Sequence, residues 1–317
     1  MNLREPLVDE KRPGFSRTFQ QAGGIQPDTW SKGEFFHLWP PCFLPRRHRH
    51  EGPGRMSRRF AVGIDLHGTL LDDNWQVPDR LVRELAAALQ AVQPSCELFL
   101  CTGNDLTFLH EHIGRDISGL FDGFVLETGC VVSNGSSEEV LVPQKPLSVM
   151  KELERRLRDR RLPGVQYFAR RLATISMFTK TEQGGRDPTH LYPQVLKKVE
   201  EMGYGEDVLV THSDVAVDIL PAGFNKFTGL RHAAEAAFLI GIADSLNDIH
   251  LIANADLAFL PANASPALLM ALSHLGRDVE PLEKGRLPSS KGTIAITESR
   301  QTEAVIEILH SLRDYLQ

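Results

Sequence analysis

From residue 60 onward, short apolar runs alternate with segments of helical period, and no other feature narrows the possible folds as much. Strands alternating with helices give an α/β architecture with a parallel sheet, because each crossover helix returns the chain to the same end of the sheet. Phe60-Ala61-Val62-Gly63-Ile64 reads as a buried strand that ends on Asp65. Residues 77–92 carry Leu81, Leu85, Leu89 and Val92 at helical spacing, and residues 96–103 form a short apolar strand ending in Thr102-Gly103. A helix over about 105–114 and a strand within 121–129 follow. Asn134-Gly135 then marks a hairpin, since this pair tolerates the positive φ of a tight turn.

The pattern changes over 143–221. A charged helix (147–161), two strand-like runs (165–169 and 173–181), a helix (188–203) and two more strands (207–213 and 216–221) suit a small α+β unit with an antiparallel sheet. Afterwards the first pattern returns: a helix from Lys226, a buried strand ending at Asp244, a helix over 245–255, a strand over 257–261 and a last helix over 301–316. An α/β domain, 58–142 and 222–317, is therefore expected to carry an inserted α+β domain, 143–221.

Residues 1–57 fit neither pattern. They mix Pro, Gly, Gln and isolated aromatics, run into a stretch with six arginines from Arg46 to Arg59, and read as an unstructured tail rather than a nucleic-acid arm. Met56 is also a natural start for the domain that follows, which would make 1–55 an over-long reading of the gene. His48 and His50 show no metal-ligand spacing.

The 317 residues carry 35 Lys+Arg against 41 Asp+Glu, a net charge of −6, which gives no electrostatic case for nucleic acid or an anionic membrane. No run approaches the roughly 18 apolar residues of a membrane span, and the N-terminus lacks an apolar signal core. The four cysteines have no CxxC spacing, so neither zinc nor a disulfide framework is indicated. A cytoplasmic protein is expected.

Asp65, Thr102 and Asp244 each follow an apolar strand directly, at the carboxyl edge of the sheet, where open α/β folds bind ligands. One such residue is commonly a helix cap. Three of them, with Lys226 at the head of another helix, are harder to explain as caps alone. Two convergent carboxylates suit a hard divalent cation, and Thr102, the amides after it and Lys226 supply donors for an anion. Phosphate beside Mg2+ meets both requirements.

The segments DLHGTLLDD (65–73), LCTGN (100–104), Asn225-Lys226 and GIADSLNDIHLIANA (241–255) resemble, in order and spacing, the four motifs of the haloacid dehalogenase superfamily of phosphohydrolases. The insertion is similar to the small type-II (C2) cap of that superfamily. LETGCVVSNG is similar to the segment that C2-capped members carry before the cap, and LPANAS after the fourth motif is similar to that of archaeal phosphoglycolate phosphatase-like proteins, with sucrose-phosphate phosphatases, mannosyl-3-phosphoglycerate phosphatases and phosphomannomutases as other relatives by resemblance. The resemblance implies a Rossmann-like core with a C2-type cap. It also implies a Mg2+-dependent phosphatase of a small phosphorylated metabolite, a sugar phosphate or a phosphoglycolate-like compound. Asp65 would be the nucleophile that forms an aspartyl phosphate. Mg2+ would lie between the Asp65 carboxylate, the main-chain carbonyl of His67 and Asp244, with Asp248 steadying its water shell or Lys226. Thr102, the Gly103 amide and Lys226 would hold the phosphoryl oxygens, and Asn247 would support the substrate-side loop. The cap would set specificity.

His67 departs from the family pattern, in which an aspartate at this position serves as acid and base. Three readings stay open. The imidazole takes over that work, titrating between roughly pH 5.5 and 7.5; or the function is lost and turnover is slow; or the site binds a phosphorylated ligand without useful catalysis. A phosphomutase using the same aspartyl phosphate is the catalytic alternative. Ala243 stands where the family commonly has glycine, and the short link from Lys226 to the next strand leaves two or three helical turns. His110 and His112 cannot chelate one ion from one helix. Arg170 and Arg171 could face the cleft, whereas the arginines of 155–161 read as a solvated face.

Overall fold

The computed structural model describes residues 58–316 apart from 181–186, Asp214 and 284–292; the expectations for residues 1–57 lie outside these. The first part of the described chain comprises β1 (Phe60–Asp65), α1 (Asp79–Val92), β2 (Cys96–Cys101), α2 (Leu106–His112), α3 (Arg115–Ser118), β3 (Gly123–Leu126), β4 (Val131–Ser133) and β5 (Glu138–Val140). Next come α4 (Gln144–Asp159), β6 (Val165–Phe168), β7 (Ile175–Thr179), α5 (Pro188–Glu201), β8 (Val208–His212) and β9 (Ala216–Pro221). The last part holds α6 (Lys226–Ala233), β10 (Phe238–Ile242), α7 (Ile249–Asn254), β11 (Leu257–Leu260), α8 (Pro266–His274), β12 (Val279–Pro281), β13 (Ile294–Ile296) and α9 (Gln301–Leu316). None of these helices is long and apolar enough to cross a membrane.

Among the described residues the larger sheet has nine strands in the order β12-β13-β11-β10-β1-β2-β3-β4-β5. It is parallel except for the antiparallel pairs β3–β4 and β4–β5. Central strands of a parallel sheet are covered on both faces, which is why β1 up to Asp65 and β2 after Glu97 read as continuous apolar runs instead of alternating ones. From β1 the chain moves to β2 in one direction and from β10 to β11 in the other, so right-handed crossovers put helices on opposite faces. On these faces α1 packs against α9, and α7 packs against both α6 and α8. The reversal between β1 and β10 is the switch point where such sheets open a crevice at the strand ends.

The segment expected as an insertion forms its own antiparallel sheet, β6-β7-β9-β8, with its own apolar cluster. Ile175, Met177, Val217 and Ile219 point to one face, against Leu153 and Leu157 of α4 and Val195 of α5. The strand period of two sends Ser176, Asp218 and their register neighbours to the other face.

The expected elements are present with shifted bounds. The hairpin after β3 has a four-residue connection, with Gly135 at φ 86°. The helix expected over 245–255 opens as a 3-10 turn (Leu246–Asp248) and continues as the six-residue α7. The elements α3, a single turn, and α8, β12 and β13 were not anticipated. The two strands are three residues each, too short for periodicity to register, and α8 is apolar on most sides, so it presents no helical stripe.

Candidate active site

The switch point places Asp65, at the end of β1, beside Asp244, two residues past β10, because Ile64 and Ile242 are register partners. The two carboxylates share one hydroxyl: Thr69 Oγ1 is 3.3 Å from Asp65 Oδ2 and 3.1 Å from Asp244 Oδ1. A single O–H can donate to only one of them at a time. Gly68 makes this approach possible. It sits at φ 72°, and a Cβ there would lie 2.3 Å from Asp244 Oδ2.

Lys226 completes the cluster from the first position of α6, which is fixed by a reciprocal cap in which Asn225 Oδ1 accepts from the Thr228 amide and Thr228 Oγ1 accepts from the Asn225 amide. Its ammonium donates to Asp65 Oδ1 at 2.5 Å and forms an ion pair with Asp248 Oδ1 at 2.6 Å. Asp248 also accepts from the Ser245 hydroxyl at 3.0 Å. Burial opposes the charge on Lys226, but Asp248 and Asp65 outweigh it and hold the ammonium protonated well above its ordinary range. Asp244 moves the other way: burial, then the charges of Asp65 and Asp248, push its carboxyl far above the usual carboxylate range.

Three buried or half-buried carboxylates thus face one ammonium. The surplus of negative charge sits on the Asp65–Asp244 side, where hard oxygen donors converge, and this is a fit for Mg2+. No three acidic, histidine or cysteine side chains among the described residues form a ready-made metal cage. Mg2+ does not require one, since it keeps several waters and takes one or two carboxylates.

On the adjacent strand, Cys101 is the register partner of Asp65, and Thr102 follows it. Thr102 is buried; its hydroxyl accepts from the Asn104 amide at 3.1 Å, which leaves its own proton to donate. Gly103 stands exposed in the turn beyond. Burial drives the Cys101 thiol strongly upward, so it is an inert packing group.

His67 is half-buried in a ring cluster: Trp75 lies 5.5 Å away edge-on, Phe108 lies 5.2 Å away, and His112 stacks on Phe108 at 3.9 Å. Burial, then the positive charges of Lys226 and His112, lower its pKa to about 4. The imidazole is therefore neutral at pH 7, outside the range of 5.5–7.5 expected from the sequence. Asn247 is placed with the α+β unit: it accepts from Thr211 Oγ1 at 2.8 Å, and its amide donates to the His212 carbonyl at 3.2 Å.

Glu127 escaped the sequence reading. Directly after β3, it begins a turn in which Glu127, Thr128 and Gly129 all take positive φ. A Cβ on Gly129 would lie 1.9 Å from the Asn225 carbonyl oxygen, so only glycine lets α6 begin here. The buried Glu127 carboxylate accepts the amides of Leu172 (2.7 Å), Ala173 (2.9 Å) and Thr174 (3.0 Å), and the Thr174 hydroxyl at 3.0 Å. One turn thus joins the Lys226 helix to the α+β unit. The signal was in the sequence: Glu127 is another acid standing immediately after a buried strand.

This topology, with an α+β unit inserted between β5 and α6, is the fold of the haloacid dehalogenase-like hydrolases. The structure is similar to a haloacid dehalogenase-like hydrolase from Bacteroides thetaiotaomicron, at TM-score 0.54 and 15% identity over 81% of this chain and 100% of that one. It is also similar to the sucrose-phosphatase of Synechocystis, solved in complex with sucrose and phosphate, at TM-score 0.56 and 20% identity over 80% of this chain and 97% of that one. A HAD/COF-like hydrolase from Plasmodium vivax gives TM-score 0.57 and 15% identity over 82% and 96%. No protein-family model and no curated protein matches the sequence.

Proposed function

We propose that the protein is a phosphoric monoester hydrolase, a Mg2+-dependent phosphatase that acts on a small phosphorylated metabolite through an aspartyl phosphate on Asp65. The observation that carries this reading is the buried Asp65–Lys226–Asp248 ion pair, joined to Asp244 through the Thr69 hydroxyl. Mg2+, held by the carboxylates of Asp65 and Asp244 and the main-chain oxygen of His67, would shield the anionic nucleophile from the anionic substrate.

An Asp65 oxygen attacks phosphorus, the bond to the leaving oxygen breaks, and the electron pair departs with the alkoxide, which takes up a proton from solvent water. Lys226 holds Asp65 ionised and offers positive charge to the phosphoryl oxygens, while the Thr102 hydroxyl and the Gly103 amide donate to them. Water then attacks the aspartyl phosphate, releasing inorganic phosphate and restoring Asp65. A neutral His67 suits this second step, accepting the proton of the attacking water, better than it suits protonation of the leaving group in the first. Residues 58–142 and 222–317 form the catalytic core and 143–221 the cap that sets specificity. The likeness to a sucrose-phosphatase supports a sugar phosphate as the substrate class.

The histidine at position 67, where the family pattern has an aspartate, also favours a second reading, a phospholigand-binding protein of slow turnover. Free phosphate released from a panel of phosphate esters, with Mg2+ and with EDTA, and with phosphosugar isomers measured in parallel, separates the readings. Mg2+-dependent release supports the phosphatase; isomerisation without release identifies a mutase; binding without either identifies the binder.

A further inference from the structure

Ser176, Asp218 and Thr211 stand side by side across β7, β9 and β8, because Asp218 is the register partner of both of the others. Directly paired residues share a face, so these three project from the face opposite to the unit's own apolar cluster. That face is fastened to the core at two points. Thr211 bonds to Asn247, the neighbour of Asp248. Arg171, between β6 and β7, donates to Asn104 Oδ1 and Asp105 Oδ2, both at 3.1 Å, just past Thr102-Gly103. Asp218, on that same face, is half-buried and hydrogen-bonded by Ser176, and the positive charges of Arg171 and then His212 act on it. The Arg171 side chain is 6% exposed, and its Nε is a buried donor without a hydrogen-bond partner among the described residues.

The charges decide what such a face can take. The positive charge of Arg171 already pairs with Asp105 and also acts on Asp218, so among the described residues of this face a second phosphate or a carboxylate on the substrate would find little compensating charge. A hydroxyl would be served on both sides: it can donate to Asp218 and accept from the unused N–H of Arg171. Resting on the phosphatase reading above, we propose that Asp218 and Arg171 read hydroxyl groups of the leaving alcohol. The substrate is then the monophosphate of an otherwise neutral sugar or polyol, and bisphosphates and phosphorylated acids are rejected.

The test compares kcat/KM for glucose 6-phosphate, sorbitol 6-phosphate and glycerol 3-phosphate with that for 2-phosphoglycolate, 3-phosphoglycerate and fructose 1,6-bisphosphate, with p-nitrophenyl phosphate as an ester lacking aliphatic hydroxyls. Wild-type protein should favour at least one neutral polyol ester over every acidic one by about tenfold or more. Asp218→Ala should lower that value about tenfold more than the value for p-nitrophenyl phosphate, mostly through KM. Asp218→Asn, which leaves Arg171 less compensated, should raise 2-phosphoglycolate relative to the polyol esters. A wild-type preference for acids or bisphosphates overturns the proposal without help from any variant. So does a loss in both variants that is equal across all esters. Absence of release from every ester, p-nitrophenyl phosphate included, removes the phosphatase reading and this proposal with it.

Discussion

Replacing Gly68 by alanine should cost far more function than stability. The backbone at φ 72° charges an alanine about 1–2 kcal/mol. Its Cβ would meet Asp244 Oδ2 at 2.3 Å and Cγ at 2.9 Å, distances no side chain keeps, so the carboxylate must turn away and lose its contact with Thr69. A hydrogen bond to a carboxylate contributes about 1.5–3 kcal/mol, but turning away also relieves Asp244 of two neighbouring negative charges, so a total near 2–4 kcal/mol is expected. At about 2–4 °C per kcal/mol, Tm falls by roughly 5–15 °C and the protein stays folded at room temperature. Function fares worse, because a misplacement near 1 Å at a reacting centre costs about 100-fold. Calorimetric unfolding, a calorimetric Mg2+ titration and phosphate release on one preparation give the answer. A Gly68→Ala protein with wild-type Mg2+ affinity and turnover would refute the placing of Asp244 at the metal.

Asp65→Asn should leave the fold intact and reduce phosphate release below about a tenth of wild type, the residual expected without a competent nucleophile; higher activity in pure protein removes Asp65 from that role. Glu127→Ala strips three amides and a hydroxyl of their acceptor and should destabilise by about 3–5 kcal/mol, read by denaturant titration. His67 has a folded pKa of about 4 against an ordinary value of 6.5, so the neutral form is the one the fold favours. Its contribution to stability is complete above pH 6.5 and declines as pH falls from there toward 4. Melting curves from pH 7.5 to 4 should show a loss that His67→Phe diminishes, and turnover should show no His67-dependent step between pH 5.5 and 7.5.

Asp65, Thr102, Lys226 and Asp244 were legible because each ends or closely follows a buried strand or heads a helix, positions that local patterning fixes. Thr69 was not, since a threonine inside an apolar loop carries no signal until Asp65 and Asp244 are brought to either side of it. The partners of Asn247 lie 35 and 36 residues away on a strand of the other sheet, beyond any local period. His67 could be seen as unusual, but its titration is governed by Lys226 and His112 and by burial among rings from two further segments, which the fold alone assembles.

The carboxylate of Glu127 has one more consequence, for hydrogen exchange. Amides in an exposed connection ordinarily exchange with solvent almost freely, and the stretch between β6 and β7 includes Leu172, a residue that is 41% exposed. The N–H groups of Leu172, Ala173 and Thr174 nonetheless end on the two oxygens of a buried carboxylate of the other sheet's domain, so they reach water only when the two domains part at that point. Deuterium uptake at residues 172–174 therefore acts as a clock for domain separation, and a ligand that clamps the domains together should slow it before any helix or strand responds.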